Sequence, residues 1–187
     1  MNIITVEKRN ELTKAKRLRR NGIIPCVVYG GSLPESLMVQ VNQSTARKLL
    51  SYKREGSKVD IKLDSEVIPA QIKDIEYNAM NNEIQHISFQ ALEENKRVNS
   101  KAQIILENTD KVVGILEQML YEVPYSAFPS DMVDTVVIDL DGVGAGKIFT
   151  LEDIEEFKNR DIDVQVSLDT MILRVNDKKR NVLQAAE

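Results

Sequence analysis

The sequence has one cysteine, one histidine and no long apolar run. Cys26 has no partner for an internal disulfide, and its position in an apolar segment predicts a buried structural thiol. His86 alone cannot supply a histidine-based metal cluster, and a Ser-His-Asp triad would have to be built on it. No apolar run approaches the ~20 residues of a membrane span, and the first residues lack a signal-peptide core. We therefore expect a cytoplasmic protein with no membrane contact.

The glycine-rich segment Asp141–Lys147 has the wrong spacing for a nucleotide or calcium loop. A P-loop needs a glycine where Asp141 stands and a Ser or Thr where Ile148 stands, and the glycines fall as GxGxG instead of GxGxxG. A calcium loop needs oxygen ligands at Val143 and Ala145. The segment therefore predicts a β-turn. We expect no enzyme activity, no cofactor, no metal and no small-molecule substrate.

Charge is distributed unequally along the 187 residues. Residues 1–92 carry 14 Lys and Arg against 10 Asp and Glu, a net charge of +4, whereas residues 93–187 carry 11 against 19, a net charge of −8. A polyanion would therefore bind near the N-terminal end, and the acidic half would be repelled by it or face another partner.

The densest positive charge lies at the start of the segment Lys16–Gly31, KRLRRNGIIPCVVYGG. Four cations stand within five residues: Lys16, Arg17, Arg19 and Arg20. The segment continues into β-forming residues that end at Tyr29, so a basic run is attached to a core strand. Such clusters are often only solvated surface, and residue type alone favours a structural role for His86 over a surface hydrogen bond to a polar partner. The context of the basic run nevertheless favours binding to RNA or DNA, to which Tyr29 and His86 could add base or sugar contacts. Charge alone does not distinguish the two nucleic acids.

Short strands dominate the predicted secondary structure of the first half. Residues 10–20 fit either a short helix or a loop that orders on binding. Alternating apolar residues predict two antiparallel strands between Lys58 and Ile75 and a hairpin-type pair before them. The other predicted elements are strands at Asn2–Val6, Ile23–Val28, Ser36–Val41 and Ile84–Phe89, and a helix at Thr45–Tyr52. This pattern predicts a small β-barrel domain over residues 1–92.

The polar stretch Glu93–Lys101 predicts a connection to a second, β-rich domain over residues 93–177. A short helix is predicted at Leu151–Phe157, where Thr150 can act as its N-cap, and residues 178–187 are predicted to form a flexible tail. The predicted strands are Ala102–Leu106, Met119–Val123, Val133–Leu140, Ile162–Val166 and Thr170–Val175. The expected fold is thus mainly β with a few short helices.

The segment Arg17–Pro25, followed by Val27-Val28-Tyr29-Gly30, resembles the RLRxxGxIPxVVYG signature of the bacterial large-subunit ribosomal protein L-twenty-five family, which includes the general stress protein Ctc. Gln85–Phe89 is similar to the family's QHIDF strand. The second half is similar to the C-terminal β domain of the family's longer members.

The resemblance implies binding of 5S ribosomal RNA by the N-terminal barrel, without an enzymatic step and with other large-subunit proteins as further neighbours. It places Lys16, Arg17 and Arg19 on phosphates, Tyr29 at the RNA surface and His86 in the RNA groove. Arg9 and Arg20 are additional candidate contacts. The implied location is cytoplasmic, on the ribosome.

Three departures from the family pattern alter two of the contacts that the resemblance implies. Glu11–Lys14 replaces a Gly-Lys-Gly segment, Glu76 and Tyr77 stand where Gln-Arg is frequent, and Ser88 replaces a usual Asp. A lost arginine removes a charged contact, and Glu76 adds repulsion toward RNA. An alternative function is therefore a stress-associated interaction protein of the same fold, with weakened RNA binding, that acts through protein contacts of its acidic half.

Overall fold

The computed structural model describes residues 3–10, 12–158 and 161–177. A closed six-stranded barrel is followed by a second domain made of two small sheets, which confirms the predicted fold class. The barrel strands end at Ala91 and the next strand begins at Val98, while the division between residues 92 and 93 stays a prediction. The predicted tail lies outside the described residues.

The barrel contains six strands and two helices. Its strands are β1 (Ile3–Lys8), β2 (Ile23–Tyr29), β3 (Leu37–Asn42), β4 (Lys58–Leu63), β5 (Glu66–Tyr77) and β6 (Ile84–Ala91), and its helices are α1 (Ala15–Arg20) and α2 (Gln43–Leu50). Around the barrel the order is β1-β3-β2-β6-β5-β4, and parallel pairing of β1 with β4 closes it. The predicted antiparallel pairs, β2 with β3 and β4 with β5, are confirmed.

Alternating residues of these strands fill the barrel interior. Val28 of β2, Val39 of β3, Ile61 of β4, Ile72 of β5 and Phe89 of β6 are all fully buried. Because successive side chains of a strand point to opposite faces, this inward set leaves the intervening residues on the outer surface. The outer surface of β2 and β6 carries Tyr29 and His86, two of the predicted contacts.

The second domain has seven short strands in two sheets. These are β7 (Val98–Glu107), β8 (Ile115–Gln118), β9 (Glu122–Ala127), β10 (Thr135–Asp139), β11 (Ile148–Thr150), β12 (Ile162–Val164) and β13 (Met171–Asn176). One sheet has the order β10-β7-β9-β12 and the other β11-β13-β8. Tyr125 is fully buried in their shared core, where its hydroxyl donates to the carbonyl oxygen of Val133 and accepts from the Val133 N–H, both at 2.9 Å.

Three expectations for this half are wrong in detail. β7 begins at Val98, inside the predicted connection, because Val98 and Ser100 are buried on β7. The predicted strand Met119–Val123 is broken between β8 and β9. The predicted helix Leu151–Phe157 consists of two 3-10 helices, Leu151–Asp153 and Glu155–Phe157, although Thr150 and Asp153 do form a capping box at the first of them.

The two domains contact each other through backbone that approaches very closely at Gly56. The Gly56 carbonyl oxygen accepts a hydrogen bond of 2.8 Å from the buried Ser100 hydroxyl of β7. A Cβ atom at Gly56 would lie 2.3 Å from the carbonyl oxygen of Lys101, so only glycine fits. Asp134 adds a polar contact, since its carboxylate pairs with Lys53 and accepts a 3.1 Å hydrogen bond from the Lys58 N–H.

Replacing Gly56 with alanine should therefore destabilise the protein and weaken domain docking. The backbone φ angle at Gly56 is +86°, which costs an alanine about 1–2 kcal/mol, and the clash with Lys101 adds to that cost. Gly142 is a matched control because its φ angle is +74° but no atom lies within 4 Å of the added Cβ. Chemical denaturation measures the free energy of unfolding of both variants. Equal losses of unfolding free energy in the two variants would contradict the close approach.

Candidate nucleic-acid interface

The basic run forms the short helix α1, which is the first of the two predicted alternatives. Leu18 is the buried residue that fixes α1 on the barrel. Arg17, Arg19 and Arg20 lie in the last turn, where positive charge is favourable at the carbonyl end of a helix. The helix is thus held by its apolar side while its cations lie on the surface.

Arg19 connects α1 to the outer face of the barrel. Its guanidinium donates a hydrogen bond of 3.1 Å to the carbonyl oxygen of Gln85, in β6. Gln85 directly precedes His86, so this contact brings the predicted basic cluster and the predicted histidine together. Arg19 is half-buried, whereas Lys16, Arg17 and Arg20 are exposed.

The cations of α1 are not neutralised by neighbouring acids in the described part of the chain. No ion pair there includes Lys16, Arg17, Arg19 or Arg20, although ion pairs form elsewhere on the barrel, such as that of Arg47 with Glu83 at 3.9 Å. An external anion can therefore bind these cations without displacing a carboxylate.

His86 and Tyr29 occupy two ends of one surface. The Nδ1 atom of His86 lies 3.4 Å from the Ser88 hydroxyl oxygen, which places both side chains on the same face of β6. Tyr29 is paired with Gln90 of β6. Gln90 lies four residues along the strand from His86, so Tyr29 and His86 are separated by about 13 Å along the strand direction. Tyr29 is half-buried at the end of β2.

Two carboxylates also lie on this surface. The register of β5 against β6 sets Glu76 opposite His86 and Asp74 opposite Ser88, and cross-strand partners project to the same side. The departure at Glu76 thus falls next to a predicted contact. Asp74 was missed by sequence reasoning because its position depends on the irregular register between β5 and β6, where Lys73 is inserted between Ile72 and Asp74.

Arg9 has a structural contact of its own. Its guanidinium donates a hydrogen bond of 3.0 Å to the carbonyl oxygen of Thr13. Its backbone N–H donates another, also of 3.0 Å, to the carbonyl oxygen of Met38. The side chain therefore supports the turn that leads into α1. A direct contact of Arg9 with nucleic acid stays a prediction.

The remaining chemistry of the described residues offers no other site of this kind. Cys26 lies in the barrel core, and burial raises the pKa of its thiol to about 12, which agrees with the predicted structural role. No group of three or more His, Cys, Asp or Glu side chains that could hold a metal ion occurs among the residues the structure describes. None of the helices described is both long and apolar enough to cross a membrane.

Comparison with known proteins assigns both halves of the chain. Residues 4–89 match the model of the Ribosomal L25p family, and residues 97–179 match that of the ribosomal protein TL5 C-terminal domain. A protein of Caldicellulosiruptor saccharolyticus is 30% identical over 143 residues, which cover 74% of this chain and 70% of that protein. The chain belongs to the ribosomal L25p family.

A second relative extends the similarity to nearly the whole chain. The protein from Finegoldia magna is 25% identical over 186 residues, covering 97% of this chain and 87% of the relative. Both relatives are named large ribosomal subunit protein bL25. Since the family consists of ribosomal proteins, the expectation that the chain is not an enzyme is confirmed.

The environment of Cys26 gives a test of the barrel. Because the pKa of its thiol is raised, the reactive thiolate is scarce below about pH 12, and the folded protein should not react with a thiol-specific reagent at pH 8. Full reaction is expected once denaturant unfolds the chain. Absorbance of the released chromophore measures both states, and rapid reaction of the folded protein would contradict the buried position.

Proposed function

We propose that this chain is a protein of the large ribosomal subunit that binds 5S ribosomal RNA through α1 and the outer face of β2 and β6. The names of the relatives support the ribosomal assignment. The basic, barrel-forming half supports RNA as the ligand, and the ribosome would be its place in the cell. The proposed contacts are Arg9, Lys16, Arg17, Arg19, Arg20, Tyr29 and His86.

The observation that carries this proposal is the hydrogen bond from Arg19 to Gln85. It fixes a helix with exposed, unpaired cations beside the strand that bears His86. The backbone that carries the charges is thus held on the barrel, so ordering that backbone costs little when an anion binds. A disordered basic tail would give no such positioning.

The shape of the surface suits double-helical RNA. An A-form helix presents a wide, shallow minor groove with 2′-hydroxyls, and proteins recognise it largely through these hydroxyls, the phosphates and its shape. In the proposed complex the cations of α1 lie on phosphates. His86 and Ser88 then offer hydrogen-bonding groups to the groove, and Tyr29 contacts it about 13 Å further along.

A second candidate function is favoured by the carboxylates on the same face. Asp74 and Glu76 are exposed next to Ser88 and His86, and both would repel phosphates. Such repulsion is expected of a stress-associated protein that binds RNA weakly and acts through its acidic second domain. The two candidates differ in the RNA affinity that they predict.

Replacing Arg17 with alanine should weaken binding to 5S ribosomal RNA and reduce its salt dependence. Each phosphate contact that is lost lowers the slope of log affinity against log salt concentration by about 1. A salt series with purified protein and RNA, measured by fluorescence anisotropy, gives both quantities.

Lys62 provides a matched control for this variant, because it is an exposed cation on β4 and β5 separates β4 from β6. The Lys62→Ala variant should bind with nearly unchanged affinity and slope. Equal effects of the two substitutions would contradict the proposed face. A wild-type chain that fails to bind 5S ribosomal RNA at low salt would instead favour the second candidate.

Replacing Glu76 with glutamine should strengthen RNA binding at low salt, by about fivefold if the relieved repulsion is about 1 kcal/mol. Glu66 is the control, since it is an exposed glutamate at the other end of the same strand. The effect of Glu76→Gln should disappear at high salt, where the repulsion is screened. If Glu66→Gln raises the affinity equally, the effect belongs to net charge and not to the position of Glu76.

A further inference from the structure

β10 is an unprotected edge strand of the second domain. It pairs in parallel with β7 on one side, and in the described part of the chain no strand pairs with its other side. Natural edge strands are commonly blocked by lysine, proline or a bulge. The sequence of β10, TVVID, contains no lysine and no proline, and its regular register with β7 shows no bulge.

The direction of the hydrogen bonds identifies which backbone groups are free. The Gln103 N–H donates a hydrogen bond of 3.0 Å to the backbone carbonyl oxygen of Asp134, and the Leu140 N–H donates one of 3.1 Å to the backbone carbonyl oxygen of Glu107. In a parallel pair the residues of a strand alternate between the two sides, so the even-numbered residues of β10 bond to β7. The N–H and C=O groups of Thr135, Val137 and Asp139 therefore point toward the open side.

A groove of about 590 Å³ runs along this open side. Val137, which is 48% exposed, lies on the wall formed by β10 and stands beside the exposed Ile105 of β7. The opposite wall contains Phe149 and the two 3-10 helices of the domain. The groove thus combines free backbone groups with apolar side chains, as in sites that accept an added strand.

The negative charge of the groove determines which kind of ligand it can bind. Its lining contains four carboxylates and no cation: Asp139, Asp153, Glu155 and Glu156. Of the cations near the groove, Lys111 pairs with Asp141 at 2.6 Å and Lys147 lies 5.3 Å from the centre of the Phe149 ring. Lys158 is exposed and acts electrostatically on Asp153, but the four carboxylates outnumber Lys147 and Lys158. RNA would be repelled, and two copies pairing through β10 would bring their carboxylates together.

We propose that the groove beside β10 binds an extended, lysine- or arginine-rich segment of a neighbouring protein, which adds a strand to the β10-β7-β9-β12 sheet. Main-chain hydrogen bonds to Val137 and its neighbours hold the segment. Its apolar residues pack on Val137 and Phe149, and its cations pair with the carboxylates of the groove. The acidic second domain would then be a protein-binding module that operates separately from the basic face of the barrel.

The test uses the full chain and a short synthetic peptide, about as long as β10, in which lysine and valine alternate. Binding is followed by fluorescence anisotropy and by amide hydrogen exchange. The lysine peptide should bind and should slow the exchange of the Val137 and Asp139 amides. A peptide in which glutamate replaces lysine should not bind. Equal binding of both peptides, or no protection of these amides, would overturn the proposal.

Two variants separate the roles of the strand edge and of charge. Val137→Pro removes an N–H that faces the open side, a place where an edge strand tolerates proline, and should weaken peptide binding roughly tenfold. Glu155→Gln with Glu156→Gln should weaken it and reduce its salt dependence. The control pair, Glu93→Gln with Glu94→Gln, lies outside the groove and should have no effect. Equal effects of the two glutamine pairs would overturn the proposal even if Val137→Pro does not fold.

The basic residues 178–180, Lys-Lys-Arg, are an alternative occupant from the same chain. A chain that ends at Asp177 distinguishes the two cases. Similar affinity of the peptide for the full and the shortened chain supports a separate protein partner. Binding only to the shortened chain would overturn the proposal, since the groove would then belong to the chain's own C-terminal residues.

Discussion

The pairing of β2 on both of its sides is the constraint on which the proposed RNA-binding surface depends. β3 binds one edge of β2 antiparallel and β6 binds the other edge parallel, so β2 cannot shift its register without breaking both ladders. α1 precedes β2 and packs on the barrel through Leu18, and the Arg19 contact reaches β6. One strand therefore fixes the positions of the basic helix, Tyr29 and His86 relative to each other.

The two halves of the chain carry opposite net charges, and hydrogen bonds and an ion pair join the two domains. Ser100 bonds to the Gly56 carbonyl oxygen at the junction, while Lys53 pairs with Asp134. Under the two proposals, each domain has its own type of partner, an anionic one on the barrel and a cationic one at β10.

Much of the barrel could be predicted from the sequence, because apolar and polar residues alternate in most of β3 and in β4 and the turns after β2 and β5 carry glycine or asparagine. The alternation of Val59, Ile61 and Leu63 indicated β4 and its partner directly. The basic cluster and His86 were predicted from residue type, charge and family resemblance, and their role in binding stays a prediction. These signals are local, so they can be recognised in the sequence without knowledge of the tertiary structure.

The features that were missed depend on contacts between distant segments. Asp74 reaches the outer face through an irregular register of β5 with β6, and no local pattern shows such an irregularity. The strands of the second domain are three to ten residues long, and several are half-buried on both faces, so alternation did not mark their ends. The close approach at Gly56 and the open edge of β10 likewise follow only from the assembled sheets.

The most direct test of the central claim is to map the RNA contact on the protein by NMR. The backbone amides of the isotope-labelled full chain would be followed during titration with a 5S ribosomal RNA fragment. We expect the largest shifts in α1, at Tyr29 and from Gln85 to Gln90, with little change in β7–β13. Shifts concentrated in the second domain, or spread evenly over the barrel, would contradict the proposed RNA-binding face.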